Sequence, residues 1–412
     1  MSRNAALTPS TNTKYLVLWG LCISHLLNDT FQSIIPAALP LLKDGLLLSF
    51  TQVGLIVAVF QISSSICQPI VGWCTDKYPQ PYSLPFGMTS TLLGILLFAN
   101  AWSFPVVLLS VALIGFGSAI FHPEASRLVY MASGGRLGFA QSFFQTGGNL
   151  GTSIGPLLAA IFITPYGREN IVWFAIIVFC AIIWLIPLSR WYQQQLKQRE
   201  LAKNTAKKEP AASPSSAFPK RTVLITVCIL LVLLFSKTLY TVSFQNYLTF
   251  YLMAKYMADV PREVAIQHSQ FFLFAFLFAT AAGTMIGGPI GDRIGRKWVI
   301  WVSILGPAPF ALMLPYIDSL WVTCVLSMLI GAAMASSFPA ILIFAQELMP
   351  GKVGTVGGLF FGFSFGSAAI AAALLGILAD FGGIKFVFQL CAFVPLMGLI
   401  TWFLPNITVA KR

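Results

Sequence analysis

The side chains able to do chemistry in this chain are ionisable and amide groups set inside long apolar stretches. His25, Asn28, Asp29 and Gln32 recur at i, i+3, i+4 and i+7, which is one face of a helix. Asp29 with a histidine one turn away is a candidate proton-coupling pair; the plainer alternative is a hydrogen-bonded network tying this helix to a neighbour. FHPEASR, Phe121 to Arg127, gathers His122, Glu124 and Arg127 within little more than one turn, and its Pro123 leaves a backbone carbonyl without a helical donor. Glu124 and Arg127 are spaced to pair. One reading places them in a central site, Glu124 as a further proton carrier and His122 and Arg127 as substrate contacts; the other is a gating ion pair near the end of the span. Lys237 lies halfway along another apolar run, with Tyr240 about one turn on. A buried ammonium needs a counter-charge: Asp29 when the site is empty, an anionic substrate when it is full. Substrate would then compete with Asp29 for Lys237, and a proton on Asp29 would remove that competition. Gln141, Gln145 and Asn149, at i, i+4 and i+8, form a polar stripe that faces a bundle interior or wet cavity, where Gln145 and Asn149 join His122, Arg127, Lys237 and Tyr240 as candidate substrate contacts.

Other chemistries find little here. The seven cysteines include no CxxC and no Cys/His cluster, so neither disulfides nor a metal site is implied. His122 beside Glu124 is a weak signal for a membrane enzyme, because no nucleophile motif or metal-ligand spacing accompanies it. No cofactor-binding motif is recognised.

The elements that position these residues must be membrane helices. Hydrophobic residues make up 57% of the chain, charged residues only 9%, and mean hydropathy is +0.81; a soluble protein carries about a quarter charged residues. The polar opening, Met1 to Thr13, shows no removable signal peptide. Apolar runs of the length that crosses a bilayer can be placed at 15–41, 51–74, 83–101, 104–129, 137–163, 170–190, 222–253, 268–290, 298–316, 320–345, 354–379 and 384–404.

An ungapped offset of 216 residues relates the two halves. GPIGDRIGRK, Gly288 to Lys297, has a weaker copy at Gly72 to Pro81, and the same offset pairs Gly115 with Gly331, Pro123 with Pro339, Gly135 with Gly351, Arg136 with Lys352, Gly138 with Gly354 and Gly167 with Gly383. The expected architecture is therefore an all-α integral membrane protein with twelve transmembrane helices in two pseudo-symmetric six-helix bundles. Its parts are a tail at 1–14, bundles at 15–191 and 222–405, a basic linker at 192–221 and a tail at 406–412. Nineteen Lys and Arg fall on the side of the termini and linker, and five on the other, so the positive-inside rule places both termini and the linker in the cytoplasm. That asymmetry accounts for the net charge of +12 without any nucleic-acid partner.

Twelve helices in two halves with GxxxDRxGRK between the eighth and ninth resemble the major facilitator superfamily. The resemblance implies a latch that closes the cytoplasmic side, built from Gly288, Asp292, Arg293, Arg296 and Lys297 and from Gly72, Asp76 and Lys77 in the first copy, which has Pro79-Gln80-Pro81 where basic residues are usual. Asp292 can offer its charge to a helix N-terminus. Gly151, Gly155 and Pro156 resemble the GxxxGP of drug and proton antiporters, a pattern that close helix packing also explains. SHLLND (24–29), FHPEASR, ASGGRLGFAQSFFQTGGNLG (132–151), FSK (235–237), AQELMPGKVG (345–354) and GLFFGFSFG (358–366) are similar to the fosmidomycin resistance protein family of bacterial efflux transporters. This similarity implies a monomeric inner-membrane exporter of a small anionic antibiotic such as fosmidomycin, working by proton antiport among membrane lipids. An importer of a small organic anion is the alternative.

Overall fold

The computed structural model describes residues 12–48, 50–158, 168–205 and 218–406; Gly167, the middle of the linker and the outer parts of both tails lie outside them. The first half contains α1 (Tyr15–Gly45), α2 (Phe50–Lys77), α3 (Ser83–Ala99), α4 (Phe104–Ala132), α5 (Leu137–Leu158) and α6 (Phe174–Thr205), the last entered through a 3-10 turn at Arg168–Trp173. The second half contains α7 (Lys220–Tyr256), α8 (Arg262–Ile294), α9 (Arg296–Leu305, continued by Ala308–Met313), α10 (Leu320–Ala335, continued by Ser337–Leu348) and a ribbon over Val353–Cys391. Gly383, at φ 78° and ψ 169°, breaks that ribbon and splits it into α11 and α12, the latter running on as a 3-10 helix, Val394–Phe403. Only glycine takes this backbone conformation without strain, so one residue ends one span and starts the next.

Among the described residues, eight of these helices are long and apolar enough to cross a membrane by length and composition alone. The others are α3, which is short, and α1, α2 and α5, which carry polar side chains such as Asp29, Gln68 and Gln145. Apolar side chains point outward as well as inward: Leu16, Trp19, Ile66, Trp173, Trp321 and Trp402 are all more than half exposed, as expected where the solvent is lipid. The polar side chains Ser24, His25, Asn28, Gln68, Ser118, His122, Glu124 and Arg127 are buried. A membrane helix satisfies its own backbone and turns its polar groups toward its neighbours.

Within the first half α1 packs on α5, and α2 and α3 pack on α4; the halves meet where α2 lies against α11 and α5 against α8. These two seams are equivalent under the sequence repeat. They are lined by glycine: a methyl group added at Gly72 would run into the carbonyl of Gly354, and one at Gly288 into the carbonyl of Gly138. α6 continues beyond the expected boundary at 191. Tyr192, expected to open the linker, is 1% exposed, and the helix runs to Thr205, because the tyrosine ring is packed inside the first bundle.

Candidate functional site

The two copies of the glycine–aspartate motif make one device twice. Asp292, at the end of α8, accepts from the backbone N–H of Gly138 at 2.8 Å and of Phe139 at 2.9 Å, in the first turn of α5. Asp76, at the end of α2, accepts from the N–H of Gly354 at 3.0 Å and of Thr355 at 2.6 Å, and from the Thr355 hydroxyl at 2.6 Å, in the first turn of α11. The residue before α11, Lys352, makes no side-chain cap, so each carboxylate caps a helix of the opposite half. The first turn of a helix carries unsatisfied donors and the positive end of the dipole, and an anion supplied in trans satisfies both.

Each aspartate also meets a buried guanidinium. Arg296 lies 2.7 Å from Asp292 and 3.5 Å from Glu347. In the first half the motif has no such arginine, and α4 supplies it: Arg127 lies 2.6 Å from Asp76 and 3.3 Å from Glu124. Arg127 also donates to the carbonyl of Thr75, and Glu124 accepts from Ser83 at 3.1 Å. Arg127 and Glu124 therefore belong to this end of the molecule, not to the central cavity, because their carboxylate and carbonyl partners lie beside the α2–α3 turn. The other motif residues do different work. Lys297 donates to the carbonyls of Trp402 at 3.0 Å and Leu404 at 2.6 Å, closing the end of α12. Arg293 is exposed, and Lys77 lies over the rings of Trp73 and Tyr78.

A cavity of about 190 Å³ lies midway along the helices, between the halves. The first half contributes His25, Asp29, His122, Gln145 and Asn149; the second contributes Lys237 with Thr241, Gln245 and Phe361 among its neighbours. Asp29 is the centre of its polar wall. His25 Nε2 is 3.3 Å from Asp29 Oδ2, His122 Nε2 is 3.6 Å from Oδ1, and Asn28 donates to Oδ1 at 3.0 Å. Ser118 links His122 to Gln32 through contacts of 3.2 Å. Asn149 bridges the halves by donating to Thr284 at 2.8 Å.

Lys237 faces this cavity, its ammonium 5.9 Å from the Phe338 ring. Among the described residues no ion pair joins it to Asp29, whose carboxylate instead has the two histidine rings as its nearest ionisable neighbours. The need of a buried ammonium for a counter-charge pointed to the Asp29–Lys237 pair; the packing of α4 against α1 is what brings His122 in first. Tyr240 turns away from the cavity and packs against Phe244, 2% exposed. Gln141 is buried, 3.5 Å from Ser126, and the surroundings of Gly155 and Pro156 lie outside what is described. Sequence reasoning missed Gly148, whose backbone forms the floor under His25 and Asp29, and Glu347. The run GGNLG signalled close helix approach; AQELMPGKVG contained Glu347 without signalling its role, because the 216-residue offset sets Met131 opposite it, while in space its place in the first half is taken by Glu124.

A transporter built of two halves around a central polar cavity, with a double interlock at one end, is what fold and site define together. The Major Facilitator Superfamily profile matches residues 21–265 and 242–412, and the chain belongs to that family. It is 52% identical over 402 residues to the fosmidomycin resistance protein of Escherichia coli (strain K12), covering 98% of this chain and 96% of that protein. It is 41% identical over 391 residues to the uncharacterized MFS-type transporter YfnC of Bacillus subtilis (strain 168), covering 95% and 92%. The crystal structure of FucP in the outward conformation superposes with a TM-score of 0.71 over 95% of this chain and 99% of that one, at 16% identity. The protein is thus a multi-pass membrane transporter and not an enzyme.

Proposed function

We propose that this transporter exports a small anionic antibiotic of the fosmidomycin type across the bacterial inner membrane in exchange for protons. In this reading it is a monomer whose termini face the cytoplasm. The observation that carries it is the central cavity, where a lysine of one half faces an aspartate and two histidines of the other, in a chain 52% identical to a fosmidomycin resistance protein. Lys237 supplies the charge for the anion, with Gln145 and Asn149 as neutral partners. Asp29, His25 and His122 carry the proton.

The interlock sets which side is closed. With the termini in the cytoplasm, Asp76 and Asp292 seal the cytoplasmic end, which corresponds to the outward-facing state. Opening inward uncaps α5 and α11, while Arg127 and Arg296 keep Glu124 and Glu347 as counter-charges. A proton on the aspartate–histidine group and an anion on Lys237 attract one another, so at equilibrium each favours the other. Exchange therefore rests on which loaded forms cross: the anion-loaded form moves outward and the proton-loaded form returns. Expression in susceptible bacteria tests the reading. Resistance to fosmidomycin should rise and should vanish with Lys237→Ala at equal protein level; unchanged susceptibility, with growth on an imported anion instead, would refute it.

A further inference from the structure

Two imidazoles on different helices aim the same ring nitrogen at one carboxylate. His25 places Nδ1 2.8 Å from the carbonyl of Phe144, and His122 places Nδ1 2.9 Å from the carbonyl of Ser118. A carbonyl oxygen only accepts, so each Nδ1 carries the hydrogen, and a neutral ring then presents its lone pair at Nε2. Both lone pairs face Asp29, at 3.3 and 3.6 Å. A lone pair against a carboxylate is repulsive unless a proton or a metal ion lies between them.

The distances favour a metal ion in that position. A charge-assisted hydrogen bond would draw nitrogen and oxygen to about 2.7–2.9 Å, and both separations are longer. Bonds of about 2.0–2.1 Å around a tetrahedral zinc ion set neighbouring ligand atoms roughly 3.3–3.4 Å apart. The three potential ligand atoms lie within 4.8 Å of one another. An ion at the centre of a triangle with such edges is at most about 2.8 Å from each corner, so contraction of under about 1 Å completes the bonds.

The surroundings are those of a supported metal site. Backbone carbonyls hold the outer nitrogens of both histidines, as is usual for metal-ligating imidazoles, and Asn28 donates to Asp29. Phe144 stacks on His25 at 4.0 Å between ring centroids, while Phe361 and Phe365 of the second half flank His122 at 4.9 and 5.3 Å. Gly148 leaves room from below: a Cβ there would sit 2.7 Å from Asp29 Oδ2. The ligands come from α1 and α4, which is why no spacing along the sequence announced them.

We infer that His25, Asp29 and His122 form a binding site for one divalent transition-metal ion of the zinc class, with its remaining coordination directed at the cavity. Two imidazoles and one carboxylate suit zinc, cobalt and nickel and not magnesium or calcium, which prefer all-oxygen shells. Metal binding itself requires neither the proposed substrate nor proton coupling; because the ion would occupy the atoms assigned above to the coupling proton, ion and proton exclude one another there, and a bound ion should inhibit the proposed exchange.

The test uses purified full-length protein stripped with chelator. Cobalt(II) titration should produce the visible absorption of a four- or five-coordinate ion at one equivalent per chain, zinc should displace it, and magnesium should not. His25→Ala, His122→Ala and the closer replacement His122→Gln should each weaken zinc binding by at least the roughly 10–100-fold that loss of an outer-shell partner costs, and Gly148→Ala should weaken it while retaining every ligand. A folded wild-type protein that gives neither cobalt absorption nor zinc binding heat overturns the inference, as does zinc affinity unchanged in the variants. Substrate flux in chelator-treated proteoliposomes is read separately, so loss of the metal site and loss of the transport reading give different results.

Discussion

Replacing Asp292 by asparagine tests whether the interlock governs access and leaves the binding site alone. The carboxylate accepts two backbone N–H groups at 2.8 and 2.9 Å and holds Arg296 at 2.7 Å. Asparagine has one acceptor oxygen, so one amide of α5 loses its partner and the charge at the helix N-terminus disappears. An unsatisfied donor costs about 1–3 kcal/mol when buried, and the lost helix-terminus charge about 0.3–1 kcal/mol. The side chain is 20% exposed, which favours the lower part of these ranges, so the closed state should lose roughly 2 kcal/mol, or about thirtyfold in the closed-to-open ratio. Arg296 retains Glu347 at 3.5 Å, so the protein should still fold. Spin labels at Tyr78 and Ile294, both exposed, in a background lacking the exposed cysteines Cys74, Cys180 and Cys228, would report the separation of the halves. The open population should rise while substrate affinity changes little and transport slows. An unchanged distance distribution, with affinity and flux falling equally, would refute the reasoning and assign Asp292 a direct binding role.

Other outcomes follow from the same geometry. Asp29→Asn should permit substrate-for-substrate counterflow but remove the response to a pH gradient; vesicles of this variant that still accumulate substrate under a pH difference would move the coupling role to another group. Gly288→Ala forces a methyl group against the carbonyl of Gly138 and the side chain of Ser142, so overpacking should cost the closed state about 1–3 kcal/mol, seen as a larger open population with the same label pair. Reporter fusions at Lys411 and within 211–216, which lie outside the described residues, should report the cytoplasm; a periplasmic signal from either would contradict the topology.

The parts that the sequence made legible are those with a local or repeated signature. Helix-length apolar runs announced the spans, and the 216-residue repeat paired Gly72 with Gly288 and Asp76 with Asp292 before any packing was known. Side-chain partnership across helices was not legible. Asp29 and Lys237 are two opposite charges near mid-span, and pairing them satisfied both; the approach of α4 to α1 put His122 there first. Arg127 and Glu124 looked alike as gate or site until the position of Asp76 and Ser83 drew them to the latch end. The arginine missing from the first motif copy comes from α4, a substitution in space that no alignment of the two halves displays. Gly383 was visible as a repeat position, but its role in breaking a 39-residue ribbon depends on its backbone angles.

The measurement that tests the account most directly is fosmidomycin movement in proteoliposomes of the purified protein under an imposed pH gradient, with internal pH followed in the same vesicles. The account predicts that fosmidomycin accumulates on the side from which protons leave, that proton and substrate fluxes are coupled in opposite directions, and that Lys237→Ala abolishes both. Fosmidomycin flux indifferent to the gradient, proton and substrate moving in the same direction, or no flux from folded wild-type protein would contradict it.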